Sequence, residues 1–148
     1  MKNVFVSDLS AHFQADDCLF VVGLGFDLRG LESLKYVGES TASQAVGLLN
    51  PKRPDIDQLL HLELFHSLSS KEAQLIGLGS ENLVEVVDEL QSFLAAASGS
   101  YSTILVDITS ISHELLVALI GLFVMEGLVK NVTLIYTVAS QYSGGGKN

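Results

Sequence analysis

The sequence is poor in cysteine, proline and basic residues, and it contains no tryptophan. A single cysteine, Cys18, excludes an internal disulfide framework and a zinc site built on several cysteines. Eight Lys and Arg residues against 17 Asp and Glu give a net charge of -9. The scattered cations form no basic face, which argues against binding a nucleic acid polymer or an anionic membrane. The charge does not exclude binding of a small phosphorylated ligand, because backbone amides at helix N-termini can bind phosphate.

Long hydrophobic runs are also absent. The longest, Leu115–Met125, is about half of the roughly 20 residues that a membrane-spanning helix needs. The N-terminus has no apolar core typical of a signal peptide, so we expect a cytoplasmic protein. A hydrophobic content of 48% with 17% charged residues indicates a folded chain. We expect one domain over residues 1–139, with a helical extension at 1–17 and a flexible Ser/Gly-rich tail at 140–148.

Short apolar runs alternate with amphipathic segments along this domain. The runs predict five strands, at Cys18–Gly25, Ser43–Leu49, Ala73–Gly77, Thr103–Ile108 and Asn131–Val138. The segments between them predict four helices, at Leu28–Val37, from Pro54 to about Ser67, from an N-cap at Ser80 to about Ala97, and at Glu114–Leu128. The alternation predicts an α/β fold, a three-layer Rossmann-like sandwich whose mostly parallel five-stranded sheet has helices on both faces. The first and fourth strands are the most uniformly apolar, so we expect them in the centre.

The last helix, residues 114–128, is apolar around most of its circumference. A helix of that kind is usually covered on two sides, by its own sheet and by something else. We therefore expect self-association, or an attached or partner domain, through this helix.

Polar residues collect in the loops that follow the predicted central strands. In an open parallel sheet, ligands bind beyond the carboxyl ends of the strands. The first loop runs from Gly23 and Gly25 to Asp27 and Arg29. It begins like a dinucleotide-binding fingerprint, but Leu28 stands where the third glycine is needed. The glycines can serve tight packing alone, and Asp27 can cap the next helix and pair with Arg29; alternatively, both side chains border a ligand.

The loop after the fourth strand holds an acid, three hydroxyl residues and a histidine, from Asp107 to His113. Hydroxyls at a helix N-terminus suit an anion or a nucleotide. They can also do no more than cap the helix, through Ser110 or Ser112, while Asp107 accepts hydrogen bonds from neighbouring loops. The residues that we predict to bind a ligand are Gly25, Asp27, Arg29, Asp107, Thr109, Ser110 and His113.

The order Asp107, Ile108, Thr109, then a basic position at His113 before a helix, resembles the signature after the fourth strand of CARF-type Rossmann-like domains. Those domains sense cyclic oligonucleotides in bacterial and archaeal defence systems. Ser110-Ile111-Ser112 replaces the Gly-Gly-Thr of that pattern, so the resemblance leaves the ligand open. It implies a ligand-sensing domain that binds a nucleotide-type molecule in a defence or signalling context.

Two other functions remain open from the sequence. One is a protein-interaction or oligomerisation module without a ligand; the other is a small hydrolase that uses Asp27 or Asp107. A phosphate-binding GxxxxGK[ST] loop and a GxSxG nucleophile motif are both missing, and the four histidines lack metal-binding spacing. We therefore expect no cofactor and no metal, and regulation rather than catalysis.

Overall fold

One parallel sheet organises the molecule. The computed structural model describes residues 1–12, 17–25, 27–37, 42–51, 58–69 and 72–138. All four neighbouring strand pairs in the sheet are parallel. The strands are β1 (Cys18–Gly23), β2 (Ala42–Leu48), β3 (Glu72–Ile76), β4 (Thr103–Asp107) and β5 (Val132–Ile135). The predicted fold class is thus confirmed.

The strand order is β3-β2-β1-β4-β5, which places β1 and β4 side by side in the interior of the sheet. All six residues of β1 are buried. The central position predicted for these two strands is therefore confirmed, and the reason is that both of their faces are covered. The order reverses between β1 and β4, so the topological switch point lies at their carboxyl ends.

Helices cover both faces of the sheet. The described helices are α1 (Leu9–His12), α2 (Glu32–Val37), α3 (Gln58–Leu68), α4 (Leu83–Ala97) and α5 (His113–Met125). The first three pack in one core cluster with Phe20, Val22 and Leu105 of the sheet. The last two pack in a second cluster with Leu19, Val21 and others. A 3-10 turn, Leu28–Leu31, leads into α2.

The N-cap of α4 differs from the predicted one. Asn82, and not Ser80, caps α4: its Oδ1 accepts the backbone N–H of Glu85 at 3.1 Å. The Glu85 carboxylate in turn accepts the backbone N–H of Glu81 at 2.9 Å. These two bonds satisfy the Glu85 N–H in the first turn and the Glu81 N–H just before the cap, which explains why the helix begins two residues later. Ser80 instead closes a turn on the Gly77 carbonyl.

The last helix begins one residue earlier than predicted, at His113, and ends three residues earlier, at Met125. Of its two candidate caps, Ser110 and Ser112, the structure uses Ser112. Ser112 caps α5 by accepting the Leu115 N–H at 3.4 Å. The helix ends at Met125, because Gly127 has a φ of 68° and turns the chain away. The predicted start of α3 at Pro54 and part of the predicted N-terminal extension lie outside the described residues.

Candidate ligand-binding site

The loops after β1 and β4 meet at the switch point. The backbone N–H of Asp27 donates to Ser110 Oγ at 2.8 Å, which joins the two loops directly. Ser110 is completely buried. The sequence places both loops at one edge of the sheet, and the structure brings them into contact.

Gly23 and Gly25 make this contact close. A Cβ atom on Gly23 would lie 2.5 Å from the carbonyl carbon of Ser110, and one on Gly25 would lie 2.4 Å from its carbonyl oxygen. Both distances are shorter than packed atoms allow. The two glycines therefore let the β4–α5 loop lie directly over the end of β1, which is the packing role that the sequence left open.

Asp27 and Arg29 form a compact ion pair on the rim. Asp27 Oδ1 accepts the backbone N–H of Arg29 at 2.9 Å, and Oδ2 accepts Nε at 2.9 Å and Nη2 at 2.5 Å. The hydrogen bond from the Arg29 side chain is the main reason that the pKa of Asp27 is lowered. Asp27 also caps the 3-10 turn. Both side chains keep partial exposure, 35% for Arg29 and 24% for Asp27, so a ligand at this edge can reach them.

Asp107 is fully enclosed, with 0% exposure. Its carboxylate accepts the backbone N–H of Thr109 at 2.9 Å, the Thr137 hydroxyl at 3.3 Å and the Ser33 hydroxyl. Burial raises the pKa of Asp107, although the hydrogen bonds from Ser33, Thr109 and Thr137 act in the opposite direction. In this structure the carboxylate joins α2, the β4–α5 loop and the segment after β5 through these hydrogen bonds. It is not accessible to a ligand.

The other predicted residues divide into buried and exposed ones. Thr109 is buried and accepts the Thr137 N–H at 2.9 Å through its hydroxyl oxygen. His113 is exposed and is the first residue of α5. Of the predicted set, Asp27, Arg29 and His113 are therefore accessible, whereas Gly25, Asp107, Thr109 and Ser110 support the loops from beneath.

Asn50, which follows β2, was missed as a site residue. Its side-chain oxygen accepts the backbone N–H of Ser112 at 3.3 Å, just before α5 begins. Its Nδ2 is buried and has no hydrogen-bond acceptor within the described residues. The same atom would lie 2.4 Å from a Cβ on Gly25, so it sits at the junction of the two loops. An amide N–H buried without an acceptor costs about 1–3 kcal/mol.

His61, Ser33 and Thr137 were also missed. His61 on α3 is 7% exposed, and its charge contributes to lowering the pKa of Asp27. The sequence signal for Asn50 was its position directly after a predicted strand, whereas Thr137 lay inside the predicted fifth strand, which ends at Ile135 in the structure. No local pattern in the sequence marks Ser33 or His61, because both lie inside helices.

Groups that can interact with an anion lie at this edge, beside the acidic Asp27. Arg29, His61 and His113 contribute cationic or protonatable groups, and the N-terminus of α5 adds the positive end of a helix dipole. Within the described residues, no group of three or more His, Cys, Asp or Glu side chains could hold a metal ion.

A surface groove of about 530 Å³ lies at the other end of the sheet. Gln44, Gln74 and Tyr101 line it together with the second half of α4. The Tyr101 hydroxyl donates to Gln44 Oε1 across its floor. This groove is separate from the candidate site.

None of the described helices has the length and apolar character needed to cross a membrane. No protein-family model matches the chain, and no curated protein matches it either. The fold and the side-chain geometry are therefore the grounds for a functional proposal.

Proposed function

We propose that the chain is a ligand-sensing Rossmann-like domain that binds a small anionic molecule of nucleotide type at the β1/β4 switch point. The observation that carries this proposal is the buried Nδ2 of Asn50, which has no acceptor among the described residues and lies where the two loops meet. A buried donor without a partner calls for a specific explanation, and a ligand oxygen or an ordered water supplies one.

The neighbouring groups support an anionic ligand. The Arg29 guanidinium is held in a fixed orientation by Asp27, which accepts from its Nε and Nη2, and its positive charge suits a phosphate group. The N-terminus of α5, which is the positive end of the helix dipole, directly follows the loop that carries Ser110 and Ser112. A polyanion is disfavoured, because the net charge of -9 repels it.

Sensing would work through a shift between conformations, without turnover. Residues 107–112 connect the candidate site directly to α5, so a ligand that rearranges this loop would act on α5. The hydrolase alternative gains no support from this geometry, because Asp107 is enclosed and Asp27 is engaged by Arg29. A protein-interaction role uses the outer side of α5 and is compatible with ligand binding.

A thermal-shift screen with mononucleotides, cyclic oligonucleotides and inorganic phosphate tests the proposal. We expect a nucleotide-type compound to raise the midpoint of unfolding, followed by titration calorimetry to measure its Kd. Arg29→Ala should weaken binding by roughly 10- to 150-fold, the equivalent of about 1.5–3 kcal/mol for a charged hydrogen bond.

Lys130→Ala is the matched control, because Lys130 is an exposed cation at the far end of α5. It removes the same charge and should leave the Kd unchanged. Equal losses in both variants would show that the ligand responds to overall charge, and binding by none of the compounds would refute the proposal.

A further inference from the structure

The surface groove beside α4 is lined mainly by polar side chains. Its volume is about 530 Å³, and small-molecule pockets typically measure about 300–1,000 Å³. One wall is the part of α4 from Glu89 to Ala97. Gln44 of β2 and Gln74 of β3 form the floor, together with Tyr101, which precedes β4. We call this surface the α4 groove.

The two glutamines lie on a face of the sheet that helices cover. Gln44 is two residues before Val46, which packs in one core cluster with α4. Gln74 is likewise two residues before Ile76 of the same cluster. Because side chains alternate across a strand, each glutamine points to the same face as its buried neighbour. Such a face is usually apolar throughout in a parallel sheet, and departures from a local rule of this kind are expected at functional sites.

Hydrogen bonds orient two of the polar groups in the α4 groove. The Tyr101 hydroxyl donates to Gln44 Oε1, so Nε2 of the same amide remains a donor. Glu89 Oε2 accepts the backbone N–H of Gly77 at 2.9 Å, which holds the carboxylate beside the sheet and leaves Oε1 as an acceptor. Phe93, four residues after Glu89, is partly buried and adds an aromatic surface. The groove therefore offers a carboxylate, amide groups and an aromatic ring.

The charge around the α4 groove is negative. Among its described lining residues, Glu89 is the one that carries a charge. Glu85 and Asp88 are exposed on the same helix, and residues 72–129 contain no Lys or Arg. The net charge of -9 acts in the same direction, since it attracts cations and repels anions. The groove therefore selects a cation, the opposite of the charge that suits Arg29 at the switch point.

We infer that the α4 groove binds a small organic cation that combines a protonated amine with hydroxyl groups, as an amino sugar does. An ammonium group has only hydrogen-bond donors, so it binds the carboxylate of Glu89. Hydroxyl groups both donate and accept, which matches the amides of Gln44 and Gln74. The C–H groups of the ligand pack on Phe93. This inference does not depend on the proposed function, because the two sites lie apart and select opposite charges.

Titration calorimetry with D-glucosamine, at a pH below the pKa of its amine, tests the class of ligand. Glucose and N-acetylglucosamine are the comparison compounds, because they keep the hydroxyl groups and lack the positive charge. We expect glucosamine to bind and both neutral sugars to bind roughly tenfold or more weakly, since a charged hydrogen bond is lost.

Two variants of α4 test the position of the amine. Glu89→Gln removes the charge of the carboxylate and keeps an oxygen for the Gly77 N–H, and it should weaken glucosamine binding roughly tenfold. Asp88→Asn is the matched control: Asp88 is the exposed neighbouring residue, it is not among the described lining residues, and its replacement removes the same charge. Asp88→Asn should change the Kd by less than about twofold, because salt and water screen an exposed charge.

Circular dichroism of both variants verifies that they fold. No binding of glucosamine by the wild-type chain would overturn the inference. Equal affinity for glucosamine and glucose would show that the groove does not select a cation. Equal weakening by Glu89→Gln and Asp88→Asn would show that the amine responds to the overall charge and does not bind at Glu89.

Discussion

The two ends of the β4–α5 segment differ in which kind of side chain is buried. At the carboxyl edge of the sheet, polar groups are buried and bind one another, as Asp107 does with Ser33 and Thr137. On the outer side of α5, four apolar residues keep exposed fractions between 42% and 69%, namely Val117, Ile120, Val124 and Met125. The first region stabilises this chain from within, whereas the second leaves apolar surface in contact with solvent.

The comparison also separates structural glycines from a glycine without a local role. The backbone of Ser110 leaves no room for a side chain at Gly25, whereas a Cβ atom on Gly121 would have open space around it. Close packing within the chain therefore requires glycine in the first region, whereas the packing of the described chain does not require it in the second.

Replacing Asp107 should produce the largest effect. Asp107→Ala leaves the Thr109 N–H and the Ser33 and Thr137 hydroxyls without their common acceptor, and we expect a loss of about 3 kcal/mol in the free energy of unfolding. Urea titration followed by circular dichroism measures it. Asp107→Asn keeps one acceptor oxygen and should lose less. Equal stability of Asp107→Ala and wild type would show that the three hydrogen bonds to Asp107 do not stabilise the fold.

Alanine at the two glycines should act in opposite directions. Gly25→Ala places a methyl group against the Ser110 carbonyl and the Asn50 amide, so it should destabilise the fold by about 1–3 kcal/mol. Gly121→Ala should stabilise the helix of a single chain by about 1 kcal/mol. Unfolding of both variants in dilute solution measures this difference, and a loss of stability in Gly121→Ala would show that Gly121 is needed within the chain.

The two aspartates should respond to pH with opposite signs. The pKa of Asp27 is lowered by Arg29, so its contribution to stability is present above about pH 4 and is lost as the pH falls through its folded pKa. The pKa of Asp107 is raised by burial, so its contribution is fully present below about pH 4 and is lost as the pH rises through its folded pKa.

Stability measured from about pH 3 to pH 7 on wild type, Asp27→Asn and Asp107→Asn checks both signs. The advantage of wild type over Asp27→Asn should shrink on acidification. The balance between wild type and Asp107→Asn should move toward the asparagine variant as the pH rises. If the three proteins gave parallel curves of stability against pH, both predictions would be contradicted.

The smallest effect on stability is expected for Arg29→Ala. Its ion pair with Asp27 is partly exposed, and such pairs contribute about 0–1 kcal/mol. The same variant should strongly weaken ligand binding, so thermal unfolding with and without ligand distinguishes the two roles. A large loss of stability would instead make Arg29 a structural partner of Asp27.

Local patterns predicted much of the fold. The apolar runs at Cys18–Gly25 and Thr103–Ile108 predicted central strands, because a parallel strand covered on both faces has no polar side. The convergence of the two loops then followed from the general behaviour of parallel sheets, whereas the full strand order was not predicted. Helix boundaries were less well predicted, since Ser80 and Asn82 are equally good caps by type and only the position of Glu85 distinguishes them.

The sequence by itself determined the α/β class, the central strands, the shortage of cationic surface and the apolar character of the last helix. These depend on composition and on spacing between near neighbours. Tertiary structure decided which polar groups are accessible. Asp27 meets Ser110 across 83 residues, and Asp107 meets Ser33 across 74. Contacts over such separations arise when helices pack on the sheet, and no local pattern records them; for the same reason only the fold could show which side of α5 stays exposed.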